Sequence, residues 1–135
     1  MIVVLDTNVL IAAFISPKGT CHEVFELCIH NHSLASSEFI LSEIKEKLYS
    51  KFNYSEKEIT EVIELLLLKF HIVKISRNKI NICRDKDDNN VLATAVEAKA
   101  NVIITGDKDL LVLKKYKNID ILSPREFYNF GKEIS

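Results

Sequence analysis

The sequence predicts an α/β fold built on a parallel β-sheet with crossover helices, and three observations predict it. Short apolar runs bounded by polar residues alternate with longer stretches at helical spacing, the layout of strand, helix and strand repeated along a chain. Gly and Pro are scarce, at 3 and 2 residues, too few for the many turns of an all-β sandwich. The length of 135 residues suits one domain, against a range of roughly 100 to 200 per domain, so a single domain over residues 1–135 is expected.

The elements follow in order. Ile2 to Leu5 reads as a first strand; it lacks the charged start of a signal peptide, and Asp6 interrupts it. Helices are expected near Asn8 to Phe14 and Cys21 to His30, then a weaker strand at Ser33 to Ala35. Ser37 to Phe52 forms a helix with Ile40, Ile44 and Leu48 on one inward stripe. Glu56 to Phe70 forms the next, opened by a capping box of Ser55 and Glu58. A strand at Ile72 to Ile75 precedes a helix at Asn89 to Ala100, whose Val91, Leu92 and Ala95 must pack on the sheet. Val102 to Ile104 is a strand, Lys108 to Lys115 a helix, Asp120 to Leu122 a strand, and Pro124 to Phe130 a helix opened by Ser123, Pro124 and Glu126. No repeat, low-complexity segment or linker interrupts this order.

Composition excludes several classes. At 47% hydrophobic and 27% charged the chain is neither collagenous, mucin-like nor largely disordered. Charge is nearly balanced, 18 Lys and Arg against 19 Asp and Glu, so no global basic field announces a nucleic-acid partner. Local patches remain open: Lys45, Lys47 and Lys51 crowd one stretch and Lys108, Lys114, Lys115 and Lys117 another. Cys21 and Cys28 stand two helical turns apart, about 10 Å, and cannot pair there. With Cys83 they make three unpaired thiols, which fits a reducing cytoplasm. No apolar run approaches the ~20 residues of a membrane span.

Ligands of an open parallel sheet sit beyond the carboxyl ends of its strands. Asp6 follows Leu5 there, and Thr105, Gly106 and Asp107 follow Ile104. The run Arg84-Asp85-Lys86-Asp87-Asp88-Asn89-Asn90 stands before another helix. Each of Asp6, Asp88 and Asp107 could serve as a helix N-cap, but capping needs one short acceptor per helix, and Ser or Thr would do as well. Two unpaired carboxylates about 4 Å apart repel by ~4 kcal/mol at an effective dielectric of about 20, so acids gathered at one edge ask for a counter-charge. A hard divalent cation, Mg²⁺ or Mn²⁺, is the economical one. A calcium loop starting at Asp85 fails on spacing, with Asn90 where Gly belongs and Val96 where Glu belongs. His22, His30, His32 and Cys28 show no zinc spacing, and the phosphate-loop, dinucleotide and serine-elbow motifs are missing from the sequence.

These residues carry a family resemblance. Met1-Ile-Val-Val-Leu-Asp-Thr-Asn-Val-Leu10 resembles the opening strand and acidic motif of the PIN-domain nucleases, Asp88-Asn-Asn-Val-Leu-Ala-Thr-Ala95 their third motif, and Ile103-Ile-Thr-Gly-Asp-Lys-Asp-Leu110 their fourth. The whole chain is similar to the toxin components of toxin–antitoxin systems, the VapC-like ribonucleases. The resemblance implies a three-layer α/β/α fold with a five-stranded parallel sheet and an Mg²⁺- or Mn²⁺-dependent endoribonuclease. It carries over Asp6, Asp88 and Asp107 as metal-binding and catalytic acids, with Glu43 as the acid of the second motif. Glu43 lies at the edge of the stripe of Ile40, Ile44 and Leu48, and Glu46 competes for its role. Asn8 and Thr105 resemble the family's polar helpers, and Asp109 is a further supporting acid.

The expected chemistry is in-line attack of water on an RNA phosphodiester. Lys108, between two acids, and Lys47 are expected to meet the RNA backbone. An antitoxin and a second copy of the chain are the expected partners, and the helix rich in Leu65, Leu66, Leu67 and Leu68 either is buried between neighbours or offers the surface for one of them. Two other readings compete. A metal-dependent phosphatase usually needs a D-x-D pair, which Asp6-Thr7-Asn8 does not supply, and a non-catalytic RNA- or partner-binding module would be expected to lack one or more of the four acids.

Overall fold

The computed structural model describes residues 1–75 and 80–134. In chain order its elements are β1 (Ile2–Leu5), α1 (Thr7–Ile15), α2 (Thr20–Asn31), β2 (Ser33–Ser37), α3 (Glu38–Phe52), α4 (Glu56–Lys69), β3 (Phe70–Val73), α5 (Lys86–Ala98), β4 (Val102–Ile104), α6 (Lys108–Leu111), β5 (Lys115–Tyr116), β6 (Ile119–Leu122) and α7 (Pro124–Ile134). The sheet runs β3-β2-β1-β4-β6-β5, parallel throughout except for the last pair. Helices cover both faces in a three-layer α/β/α arrangement, with α2 against β2 and α7, and α5 over β1, β2 and β3. That double cover explains why β1 and β4 are apolar without alternation: Val3, Val4, Leu5, Val102, Ile103 and Ile104 are all buried.

The chain leaves β1 toward β2 and β3, then crosses back to β4 on the other side of β1. This reversal opens a crevice at the carboxyl ends of β1 and β4, where such sheets bind their ligands. On α3 the predicted stripe of Ile40, Ile44 and Leu48 is buried, and each such side chain contributes roughly 1.5 to 3 kcal/mol. All three cysteines are free thiols, and among the described residues no helix is long and apolar enough to cross a membrane.

Several boundaries differ from the sequence reading, each for a local reason. The five expected parallel strands are joined by a sixth, the two-residue β5, antiparallel on the edge. Lys114 and Lys117 adopt left-handed backbone, φ 60° and 55°, and turn the chain into that hairpin, so α6 stops at Leu111 instead of Lys115. Strand β3 begins at Phe70, two residues early, because Phe70 closes α4 and is buried in a stack on Phe25. Helix α5 starts at Lys86 because Asp85 caps it. Along α4 only Ile63 and Leu66 are buried, while Leu65, Leu67 and Leu68 are exposed, Leu68 to 82%. This helix is therefore not enclosed between neighbours within the chain.

Candidate active site

The sheet sets the site by placing Asp6 and Thr105 at the ends of its two central strands. The Asp6 amide donates to the Ile104 carbonyl at 3.0 Å, extending the β1–β4 ladder by one bond. Its carboxylate caps α1, Oδ1 accepting from the Val9 amide at 2.9 Å, and Oδ2 accepts from the Thr105 hydroxyl. Thr105 Oγ1 in turn accepts from the Asp107 amide at 3.0 Å, and Asp107 caps α6 by accepting from the Asp109 amide at 2.8 Å. Capping and site-building are thus the same geometry: each cap fixes a carboxylate at the crevice. Burial pushes the Asp6 carboxyl above its ordinary range against the opposing pull of Thr105 and Val9, and the charges of Asp107 and Glu43 push the same way.

Asp88 is held differently. Asp85 accepts from the Asp87 amide at 2.9 Å and takes the cap of α5, which leaves Asp88 in the first turn with no capping duty. Its side chain is buried, at 6% exposure, and Oδ2 has no hydrogen-bond partner. Burial, followed by the charges of Asp107, Asp85, Asp6 and Asp109, pushes its carboxyl up to about 7. Asn89 fixes the approach to this helix: its Oδ1 accepts from the Ile82 and Cys83 amides at 3.1 and 2.8 Å, and its Nδ2 donates to the Cys83 carbonyl at 3.0 Å.

Glu43 reaches the same crevice from α3. Oε1 accepts from the Thr7 hydroxyl, and Oε2 pairs with Lys47 Nζ at 3.2 Å; Lys47 also donates to Asn8 Oδ1 at 3.1 Å. Burial acts to raise this carboxyl, but hydrogen bonds with Asp87, Thr7 and Lys47 outweigh it and hold Glu43 below its ordinary range. Its partner Asp87 is pushed up to about 6, first by the hydrogen bond to Glu43 and then by burial. Glu46, the competing acid, is exposed.

One cleft is therefore lined by Asp6, Glu43, Asp88 and Asp107 together, with Asn8 and Lys47 beside them. Lys108 is exposed and is not among the residues that line it. Sequence reasoning gave no role to Thr7, Asn89 or Arg84. Arg84 donates through Nη2 to both oxygens of Asp109, at 2.9 and 3.0 Å, from a position 25 residues away that no local pattern links.

The donor set fits a hard cation. Asp88, Asp107 and Asp109 offer carboxylate oxygens that all lie within 4.8 Å of one another, so among the described residues the trio able to share an ion contains Asp109, read from sequence as a supporting acid, instead of Asp6. The unpartnered Asp88 Oδ2 in that trio carries a desolvation cost of about 1 to 3 kcal/mol, or more when charged, which a cation would remove. Oxygen ligands without sulfur or imidazole suit Mg²⁺ or Mn²⁺.

Known proteins are similar to this chain in sequence or in architecture. The family model for the PIN domain matches residues 2–109. The uncharacterized protein MJ1680 of Methanocaldococcus jannaschii is 37% identical over 147 aligned positions, covering 98% of this chain and 94% of that one. VapBC2 from Rickettsia felis, solved bound to a DNA fragment from its promoter, matches 91% of this chain and 98% of its own at TM-score 0.65 and 18% identity. VapBC-1 from nontypeable Haemophilus influenzae matches 93% and 99% at 0.65 and 17%. PAE2754 from Pyrobaculum aerophilum matches 97% and 89% at 0.64 and 15%. At these identities the structures share a fold with this chain.

Proposed function

The chain belongs to the PIN-domain family of nucleases, and from that premise we propose that it is a metal-dependent endoribonuclease, the toxin of a type II toxin–antitoxin pair. The observation that carries the reading is the meeting of Asp6, Glu43, Asp88 and Asp107 in one cleft from four separate stretches of sequence. Asp88 and Asp107 would hold Mg²⁺ or Mn²⁺, with Asp6 and Asp109 beside them. Such an ion, when bound, lowers the pKa of a bound water and neutralises charge on a scissile phosphate.

The chain's own residues do the rest. Thr105 fixes the Asp6 carboxylate and the Asp107 backbone amide with one buried hydroxyl, so that Asp6 does not have to be ordered when substrate arrives. Glu43, held below its ordinary range, is ionised at neutral pH and orients the attacking water by accepting a hydrogen bond from it. Water attacks phosphorus in line and releases a proton to solvent, the opposite P–O bond breaks, and the departing oxygen takes up a proton from solvent, so that the step balances. Lys108, exposed beside Asp107, meets the RNA backbone, and Lys47 presents its charge from within the cleft.

Partners follow from the surface and from the similar folds. The similar structures named VapBC are of paired proteins, and by analogy an antitoxin is the expected partner here. The exposed Leu67 and Leu68 on α4 suit that contact or a homodimer, and light scattering on Leu67→Lys and Leu68→Lys variants reads which of them changes assembly size. Three free thiols support a cytoplasmic site of action. The function is tested by incubating the protein with mixed RNA and mixed DNA pools, with Mg²⁺, with Mn²⁺ and with excess EDTA. RNA cleavage that requires metal supports the reading. Cleavage in EDTA, or of DNA alone, contradicts it.

A further inference from the structure

We propose that this cleft takes a single divalent ion, and that the Lys47 ammonium stands beside Glu43 in the place a second ion would occupy. The inference rests on the metal-dependent nuclease reading above and specifies its site.

Two-ion hydrolases hold their metals about 3.5 to 4 Å apart and need carboxylate oxygens free on both. Here the acids divide into two unlike groups. On one side Asp88, Asp107 and Asp109 bring oxygens within 4.8 Å of one another, and the Asp88 Oδ2 atom, buried, accepts from nothing. The cation there, Arg84, is 87% exposed and pairs with Asp109 alone, so among the described residues Asp88 and Asp107 have no ion-pair partner. On the other side both oxygens of Glu43 are already engaged, Oε1 by the Thr7 hydroxyl and Oε2 by Lys47 Nζ at 3.2 Å, and Asp87 shares a hydrogen bond with the same carboxyl. That half has its cation, Lys47.

The Glu43–Lys47 pair is not an ordinary surface pair at helical spacing. Their side chains are only 14% and 21% exposed, and Lys47 is fastened from a second element, α1, by donating to Asn8 Oδ1 at 3.1 Å. Both partners also line the cleft. An ammonium is a compact, strongly hydrated point charge with three donors, close to what a small cation offers a carboxylate. For a second divalent ion to use Glu43, it would have to displace Lys47 from both Glu43 and Asn8 and then lie next to a like charge. Lys47 thus supplies, at every metal concentration, one of the two positive charges that a phosphodiester site of this kind uses.

The test is a Mn²⁺ titration of the full chain by calorimetry, with electron paramagnetic resonance at saturation. The wild type binds one ion, with the signal of an isolated Mn²⁺. Lys47→Met removes the cation from Glu43 Oε2 and binds two, with an exchange-coupled signal; Lys47→Arg keeps the charge and binds one; Glu43→Gln with Lys47→Met returns to one. If Lys47→Met does not fold, Glu43→Gln alone decides, because it keeps a single ion at wild-type affinity when Glu43 is not a ligand and loses at least tenfold when it is. Two ions on the wild type, or one on a folded Lys47→Met, overturns the inference and leaves the nuclease reading standing. No Mn²⁺ bound at all overturns both.

Discussion

The Thr105 hydroxyl donates to Asp6 Oδ2 across 99 residues of sequence and ties the carboxyl ends of the two central strands together. The same oxygen accepts from the Asp107 amide, so one fully buried side chain holds two of the cleft's acids in mutual register. A rigid sheet edge thereby presents carboxylates that would otherwise repel.

Thr105→Val keeps the shape and removes both bonds. It leaves a buried carboxylate oxygen and a backbone amide short of partners, and the expected loss is about 1 to 3 kcal/mol in urea unfolding. Mn²⁺ affinity falls with it, and Thr105→Ser recovers most of both. A Thr105→Val protein with wild-type stability would show that the bond does not hold the site.

Asp88 gives stability a pH dependence. Its folded carboxyl, pushed up to about 7, lies above the ordinary value of 3.8, so between those limits the folded chain holds a proton that the unfolded chain releases. Metal-free stability therefore falls as pH rises through that window. In EDTA, Asp88→Asn has a Tm advantage over wild type that is near zero at pH 4 and reaches its full size above pH 7. Saturating Mg²⁺ or Mn²⁺ raises the wild-type Tm more at pH 8 than at pH 5. A Tm difference independent of pH contradicts this account.

The acids at strand ends were legible because a strand's carboxyl end is legible: Asp6 and Asp107 each stand just past an apolar run, within one residue or three. Asp88 was picked out by its resemblance to the third motif, but the residue that caps its helix was not legible. The run from Asp85 to Asn90 offers several residues able to cap a helix, and only the fold shows that Asp85 does so. Glu43 was chosen over Glu46 from the edge of one apolar stripe, and the structure turns Glu43 toward the cleft and leaves Glu46 in solvent. Thr7 with Glu43 and Arg84 with Asp109 are pairings across 36 and 25 residues, which no periodicity encodes. Strand β5 was hidden for the opposite reason, since two residues cannot show a period.

Asn89 is expected to matter for folding more than for chemistry. It meets two amides and one carbonyl of residues 82 and 83, so Asn89→Ala orphans backbone groups in a part-buried turn. The cost in urea unfolding is about 1 to 3 kcal/mol. A change below about 0.5 kcal/mol would show that water replaces those bonds freely.

Helix α4 separates burial from surface within three residues. Leu66→Ala, at a core position, costs about 2 to 5 kcal/mol, whereas Leu68→Lys, in solvent, changes the stability of the isolated chain by less than about 0.5 kcal/mol. Urea unfolding at low protein concentration measures both. Equal costs would mean that Leu68 is covered in the folded protein.

If Asp6 is one of the acids of the proposed metal-dependent ribonuclease site, Asp6→Asn should lose RNA cleavage while keeping the fold. The variant and the wild type are compared on one mixed RNA pool in Mn²⁺, with circular dichroism and melting to verify the fold. The variant is expected to fold and to cleave at least a hundredfold more slowly, about 2.7 kcal/mol of lost transition-state stabilisation. A folded Asp6→Asn protein that cleaves RNA at the wild-type rate would contradict that role for Asp6.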